Sequence, residues 1–348
     1  MSNQPIRVGV IGLGFGKEHL IRYNMLEGVE IACVCDCNPQ LLEETAKRYK
    51  AKPYTSAEKM LKDEKLDGVS ICTPPSQHCQ EVKIAAERGI HVLCEKPMAP
   101  TIKDCEEMIE ACQKNGVKLM LGFKKRFAPA YVALKERIKE QLGNPYWLFY
   151  RYTIYPSHHL EKDWFWDEND GGGALGENVG HATDIVRYLM GDEVERVYAE
   201  GGNYITSDKP SSDSAVITLR FKNGGIVSIG VGFSSDIFFA TESLTIHSEK
   251  GVAEVFGRTD FPNTLKLTLR DTARIEEEQF AEHPGVMMPS SGLVEGSSGL
   301  NDEIKHFVEC IRRKELQPRV NGIDGKKAVE ICLAAKESIK KGKPIEIS

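Results

Sequence analysis

Several stretches of this 348-residue chain have the residue types and spacing to do chemistry. The run Gly12-Leu13-Gly14-Phe15-Gly16 follows an apolar strand and opens a helix. That arrangement aims backbone N–H groups and the positive end of the helix dipole at an anion. Glycine lets a phosphate approach the backbone where a side chain would block it. Asp36 ends the next strand, twenty residues after Gly16, where a carboxylate bonds both hydroxyls of an adenosine ribose and repels a 2′-phosphate. The pattern points to NAD, with NADP disfavoured. Lys17 stands where a Gly-x-Gly-x-x-Gly fingerprint has its third glycine, which predicts a shifted first turn.

The fifth strand ends in Cys94-Glu95-Lys96-Pro97. In an open α/β sheet ligands lie beyond the carboxyl ends of the strands, so Lys96 is aimed at the nicotinamide half, on a backbone stiffened by Pro97. The fourth strand ends in Thr73-Pro74-Pro75-Ser76-Gln77-His78, expected to pass beside the ribose and phosphates. Thr73, Pro74, His78 and Glu95 therefore join the expected cofactor contacts. Glu177 and His181 lie four apart and share one helical face, as do His181 and Asp184. A carboxylate and an imidazole so placed form an acid–base pair. Asn178 beside them, with Tyr152, His158 and Trp164 upstream, are expected substrate contacts. Arg126 joins them, although the run Lys124-Lys125-Arg126 reads equally as cleft lining or as a solvated charge run. No metal site is expected: adjacent His158 and His159 on an extended segment point opposite ways, and no Cys-x-x-Cys occurs.

These residues need positioning elements. From residue 6 to about 123, short Val/Ile/Leu-rich runs without clean alternation (6–11, 30–35, 68–73, 91–95, 118–122) are separated by helix patterns at 39–49, 78–88 and 102–115. Strand–helix repetition of this kind predicts a doubly wound parallel α/β sheet of Rossmann type. After one more helix (128–141), seven strands are expected between 146 and 270, with hairpin turns at Asn223-Gly224-Gly225 and Glu249-Lys250-Gly251. A helix at 181–190 interrupts them. The Gly-, Ser-, Pro- and Met-rich stretch 283–299 predicts a long loop, and helices at 301–313 and 325–341 close the chain before a short strand.

Gross composition excludes other classes. A net charge of −6 with 28% charged residues gives no reason to expect nucleic acid or an anionic membrane as partner. No apolar run approaches the roughly 20 residues needed to span a bilayer, and the N-terminus has no basic n-region or cleavage site. The ten cysteines read as reduced, structural thiols of a cytoplasmic protein, with Cys33, Cys35 and Cys37 on one face of a strand.

In order and spacing, Gly12-Leu13-Gly14, Thr73-Pro74 with His78, Val92-Leu93-Cys94-Glu95-Lys96-Pro97, Arg126-Phe127-x-Pro129, the triple glycine at 171–173 with His181-x-x-Asp184, and Asp324-Gly325-x-x-Ala328 resemble the Gfo/Idh/MocA oxidoreductases. The resemblance covers nearly the whole chain. It implies a C-terminal domain on a large open, mainly antiparallel sheet whose outer face makes a homodimer or homotetramer, with the last helices packing back on the first domain. The expected division is 1–124 for NAD binding, joined by 301–348, and 125–300 for substrate binding and oligomerisation. By the same resemblance Lys96 and His181 are the catalytic pair, Glu177 assists where the family usually has aspartate, and the substrate is a sugar, sugar derivative or cyclitol. Two further readings stay open: an internal-redox enzyme that retains NAD, as in eliminative glycosidases or epimerase-like relatives, and an NAD-binding sensor or scaffold without turnover.

Overall fold

The computed structural model describes residues 4–155, 162–206, 208–233, 241–258, 261–272, 274–280 and 299–347. His158 and nearly all of the expected 283–299 loop lie outside them. The chain divides into two compact units, Met1–Phe123 with Asn301–Lys326, and Lys124–Leu300 with Lys327–Ser348. Of the stretch 301–348, only its first part counts with the first unit.

In the first unit the apolar runs pair in parallel. Strands β1 (Ile6–Ile11), β2 (Val29–Cys35), β3 (Lys52–Tyr54), β4 (Gly68–Ile71), β5 (His91–Cys94) and β6 (Leu119–Leu121) form a sheet in the order β3-β2-β1-β4-β5-β6. Helices α1 (Leu13–Met25), α2 (Pro39–Tyr49), α3 (Ala57–Asp63), α4 (Pro75–Glu87) and α5 (Ile102–Lys114) connect them. Val8, Val10, Val34, Val69, Ile71, Val92 and Leu93 are fully buried, as expected when helices cover both faces. Local chemistry sets the helix starts: Asn38 accepts from the amides of Gln40 and Leu41 with Pro39 behind it, and Ser56 and Thr101 cap α3 and α5. The β3–α3 unit has too short an apolar run to be read from sequence. The strand order reverses between β1 and β4, and at such a switch point a crevice opens at the carboxyl edge.

The second unit begins with a 3₁₀ turn (Lys124–Phe127) and α6 (Pro129–Arg137). Strands β7 (Pro145–Ile154), β8 (Val194–Gly202), β9 (Ser214–Phe221), β10 (Ile226–Phe233), β11 (Thr241–Ser248), β12 (Gly251–Arg258), β13 (Phe261–Leu269) and β14 (Ile275–Gln279) follow, with α7 (Asp163–Trp166) and α8 (Gly173–Met190) between β7 and β8. After α9 (Leu300–Arg312) and α10 (Gly322–Lys341), β15 (Ile345–Glu346) completes a nine-stranded sheet, β14-β13-β12-β11-β7-β10-β9-β8-β15. All its pairings are antiparallel except β7 with β10.

Alternation along β7 from Trp147 to Tyr152 and along β9 buries one face. Helix α8 lies on that face, and nearly every one of its residues is buried. It starts at Gly173, a full two turns before the apolar pattern that marks it in sequence, because glycines carry no hydrophobic periodicity. Cys33 and Cys35 are buried in β2, whereas Cys37 lies past the strand's end and is exposed. All ten cysteines are unbridged, and burial pushes the thiols of Cys33 and Cys35 up to about 12.

Candidate active site

The dinucleotide turn is built as its glycines require. Gly12 has φ 82, and a Cβ there would lie 2.6 Å from the Cys72 backbone. A Cβ on Gly16 would meet Val10 Cγ1 at 2.7 Å. Gly16, not the residue at Lys17's place, therefore lets α1 approach β1, so the third-glycine function has moved by one position. Gly14 faces open space, and α1 has neither a side-chain cap nor an acidic residue in its first turn. A helix start without a side-chain cap of its own, and with a glycine exposed at position 14, fits the diphosphate of a dinucleotide. Leu13 is buried, and Phe15 is exposed beside the turn. Asp36 accepts from the Leu13 amide at 2.6 Å and from the Asn38 amide at 2.7 Å. It braces the turn as well as presenting a carboxylate at the end of β2; each oxygen keeps a lone pair for a ribose hydroxyl.

At the ends of β4 and β5 the side chains point inward more than expected. The Thr73 hydroxyl donates to Glu81 at 2.6 Å, and the Thr73 carbonyl lies 2.8 Å from His78 Nε2. His78 Nδ1 lies 3.1 Å from the Pro97 carbonyl oxygen. His78 is fully buried, which pushes its pKa down. It is therefore a staple between the Thr73 loop and the Lys96-Pro97 turn and offers no nitrogen to a cofactor. Pro74 caps α4, so the loop leaves the strand at once. Glu95 is buried as well, with Oε1 3.1 Å from His19 Nε2, and belongs beneath the turn. Burial pushes Glu81 up to about 7. Neither Glu81 nor His19 stood out in the sequence; each lies among the buried residues of its helix. Lys96 is half-buried at the carboxyl edge of the sheet.

In the second unit Glu177, Asn178, His181 and Asp184 share α8. Asn178 is fully buried, and among the described residues neither of its amide atoms has a hydrogen-bond partner, which leaves a donor and an acceptor available to a polar ligand. Asp184 takes the Arg126 guanidinium in a two-pronged pair at 2.8 and 2.5 Å, both groups buried. Arg126 thus anchors the helix that carries His181, and its expected part as a substrate contact gives way to that of a strut. Lys125 is likewise buried, 2.5 Å from Glu242 Oε2, so neither Lys125 nor Arg126 belongs to a solvated charge run. Glu242 also accepts from the hydroxyls of Tyr131 and Tyr150. The Lys125 ammonium lies 4.2 Å from the centre of the Tyr152 ring, whose edge meets the His181 ring at 6.4 Å. Tyr152 is buried as a wall beside His181. Trp164 is half-buried on α7, packed edge-on against Phe165. The available signal for the network was Glu242, a carboxylate at an inward position of an alternating strand.

Residues 6–123 match the model of an oxidoreductase family with an NAD-binding Rossmann fold, and residues 131–254 match the GFO/IDH/MocA C-terminal domain. The chain belongs to the Gfo/Idh/MocA oxidoreductases. NAD is the cofactor of this fold. The chain is similar to the myo-inositol 2-dehydrogenase of Thermotoga maritima, 27% identical over 98% of each chain. It is also similar to the solved WlbA dehydrogenase of Bordetella pertussis in complex with NADH and UDP-GlcNAcA, with a TM-score of 0.81 at 25% identity over 99% of each chain. A 2,7-anhydro-N-acetylneuraminate hydratase of Escherichia coli is 29% identical over 65% of this chain and 62% of its own. As in other Gfo/Idh/MocA proteins, a parallel sheet is followed by a mainly antiparallel one. Among the described residues no helix is long and apolar enough to cross a membrane.

Proposed function

We propose that this oxidoreductase is an NAD-dependent dehydrogenase of CH–OH groups, acting on a secondary alcohol of a sugar, sugar derivative or cyclitol. The observation that carries the reading is the carboxyl edge of the parallel sheet. There the open glycine turn follows β1 and Lys96 follows β5, on either side of the strand-order switch beside β4. The glycine turn holds the diphosphate and Asp36 the ribose. NAD supplies the hydride acceptor, and in the reverse direction the donor. His181 takes the hydroxyl proton, and Lys96 donates a hydrogen bond to the oxygen on which negative charge develops. Glu177, on the same helix face as His181, supplies a carboxylate for a second substrate hydroxyl. Asn178 contributes the buried amide that a neighbouring hydroxyl needs.

The test is Lys96→Ala. Turnover is expected to fall by about 10²–10⁴-fold while NAD binding, read by fluorescence titration, stays near that of the native protein. Undiminished turnover would sink the assignment. A screen of sugars, inositols and sugar nucleotides with NAD and NADP, followed at the absorbance of the reduced cofactor, identifies the substrate.

The hydratase relative favours a second reading, in which oxidation is transient and the sugar is reduced again before release. Stoichiometric NADH release on mixing with substrate excludes it.

We also place a second copy of the chain on the outer face of the nine-stranded sheet and the protein in the cytoplasm. Trp147 and Phe149 on β7, Val216 on β9, Ile226 on β10 and Phe256 on β12 are exposed and share that face by register. An apolar sheet face of this extent calls for a cover in a soluble protein. A monomer by light scattering would refute the pairing. Ten unbridged cysteines suit a reducing compartment.

A further inference from the structure

Beneath the Lys96 turn runs a chain of buried polar groups that neither the dinucleotide turn nor the proposed chemistry uses directly. Tyr23 and His19 lie four apart on α1 and so face the sheet together. The Tyr23 hydroxyl is 2.8 Å from Ser70 Oγ on β4, and Ser70 Oγ is 3.0 Å from His19 Nδ1. His19 Nε2 is 3.1 Å from Glu95 Oε1, and the backbone amide of Lys96 donates to Glu95 Oε2 at 3.2 Å. Tyr23, His19 and Ser70 are fully buried, and Glu95 is 7% exposed. The carboxylate fits there because residue 122 is glycine: a Cβ on Gly122 would lie 2.6 Å from Glu95 Oε1.

With Glu95 as the acceptor, His19 Nε2 carries a hydrogen; with one hydrogen on the ring, Nδ1 accepts from the Ser70 hydroxyl, which in turn accepts from Tyr23. Burial pushes the Tyr23 pKa up, which keeps the phenol a donor. Each bond fixes the orientation of the next, and a buried network satisfied in this way is rigid.

The arrangement joins two parts of the proposed active site. His19 sits on the helix that begins at the dinucleotide turn, and Glu95 is the residue before Lys96. We propose that His19 is a positioning residue, which through Glu95 locks the Lys96 turn to the cofactor-binding helix and so fixes where the lysine stands. The inference rests on the reading of Lys96 as a catalytic residue. Such a lock acts on placement during the reaction and leaves substrate affinity alone, because misplacement of a reacting group by about 1 Å costs on the order of 10²-fold in rate.

The experiment compares His19→Leu, His19→Gln and Glu95→Gln with the native protein, measuring kcat, KM for the alcohol, and NAD affinity by fluorescence titration. His19→Leu leaves Glu95 Oε1 without its side-chain donor, and kcat should fall by about 10- to 100-fold, with KM and NAD affinity within about twofold. The amide of His19→Gln both donates to Glu95 and accepts from Ser70, and should restore kcat to within about threefold. Glu95→Gln leaves one acceptor oxygen where two served His19 and the Lys96 amide, so it breaks the link from His19 to the Lys96 backbone and carries the test if His19→Leu does not fold; its kcat should fall as His19→Leu does. Native kcat in both His19→Leu and Glu95→Gln overturns the inference. So does a loss that lies only in NAD affinity, or a His19→Gln no better than His19→Leu. Failure of the underlying reading looks different. Full turnover in Lys96→Ala removes the catalytic lysine itself, whereas an inactive Lys96→Ala with a native-like His19→Leu removes only the lock.

Discussion

In the parallel sheet the glycine turn, Thr73 and Lys96 stand at strand ends, and short connections fix them: a cap at Asn38, a proline after Lys96, and the carboxylate of Asp36 on the amide of Leu13. In the mainly antiparallel sheet the candidate residues stand on one buried helix, and partners far away in sequence hold that helix and its surroundings. Arg126 reaches Asp184 over 58 positions, and Lys125 reaches Glu242 over 117. The first unit positions its chemistry by backbone topology with a buried polar chain beneath the Lys96 turn, the second by buried charge pairs. Damage to the two should therefore look different: a lost contact at a strand end weakens one function, whereas a lost partner for a buried charge weakens the whole unit.

The largest expected effect tests the second unit. Asp184→Ala leaves the Arg126 guanidinium buried without its carboxylate, a loss of about 3–5 kcal/mol that denaturant unfolding should show. A near-native unfolding midpoint would mean that α8 does not depend on the pair.

A smaller effect tests the first unit. Glu81 has its pKa raised from 4.5 to about 7 by burial, so the folded state holds its proton more tightly than the unfolded one. The resulting contribution to stability is fully present below about pH 4.5 and is lost as pH rises through 7, by on the order of 3 kcal/mol. Glu81→Gln should flatten that part of the stability–pH curve and leave the variant more stable than the native protein at pH 8. An unchanged slope between pH 5 and 7 would place the titration elsewhere.

The smallest effect is local to the cofactor. Asp36→Ala should weaken NAD binding by about 1–2 kcal/mol, the worth of a charge-assisted hydrogen bond, and raise the NADP-to-NAD affinity ratio in parallel titrations. Unchanged discrimination would remove Asp36 from the ribose.

The differing legibility of the two halves follows from the same contrast. The glycine turn, Asp36 and the Lys96 turn could be read because each is encoded by neighbours in sequence. The doubly wound sheet could be read from its uninterrupted apolar runs. His78, Thr73 and Glu95 could be found but not understood, since sequence spacing places a side chain near a loop without saying whether it turns toward a ligand or under the loop. Arg126 was misread for a further reason: a basic run looks the same whether it meets water or a buried carboxylate more than fifty positions away.

Sequence alone thus determined most of the elements, the family and the cofactor, because backbone periodicity, glycine and a strand-end carboxylate act over a few residues. Only the tertiary structure decided which polar side chains are buried and whom they meet. It moved the third-glycine function to Gly16, made Arg126 a strut for α8, and set His19 under the Lys96 turn. Those outcomes depend on contacts between distant segments, and the free energy of burying a polar group depends on its partner more than on its type.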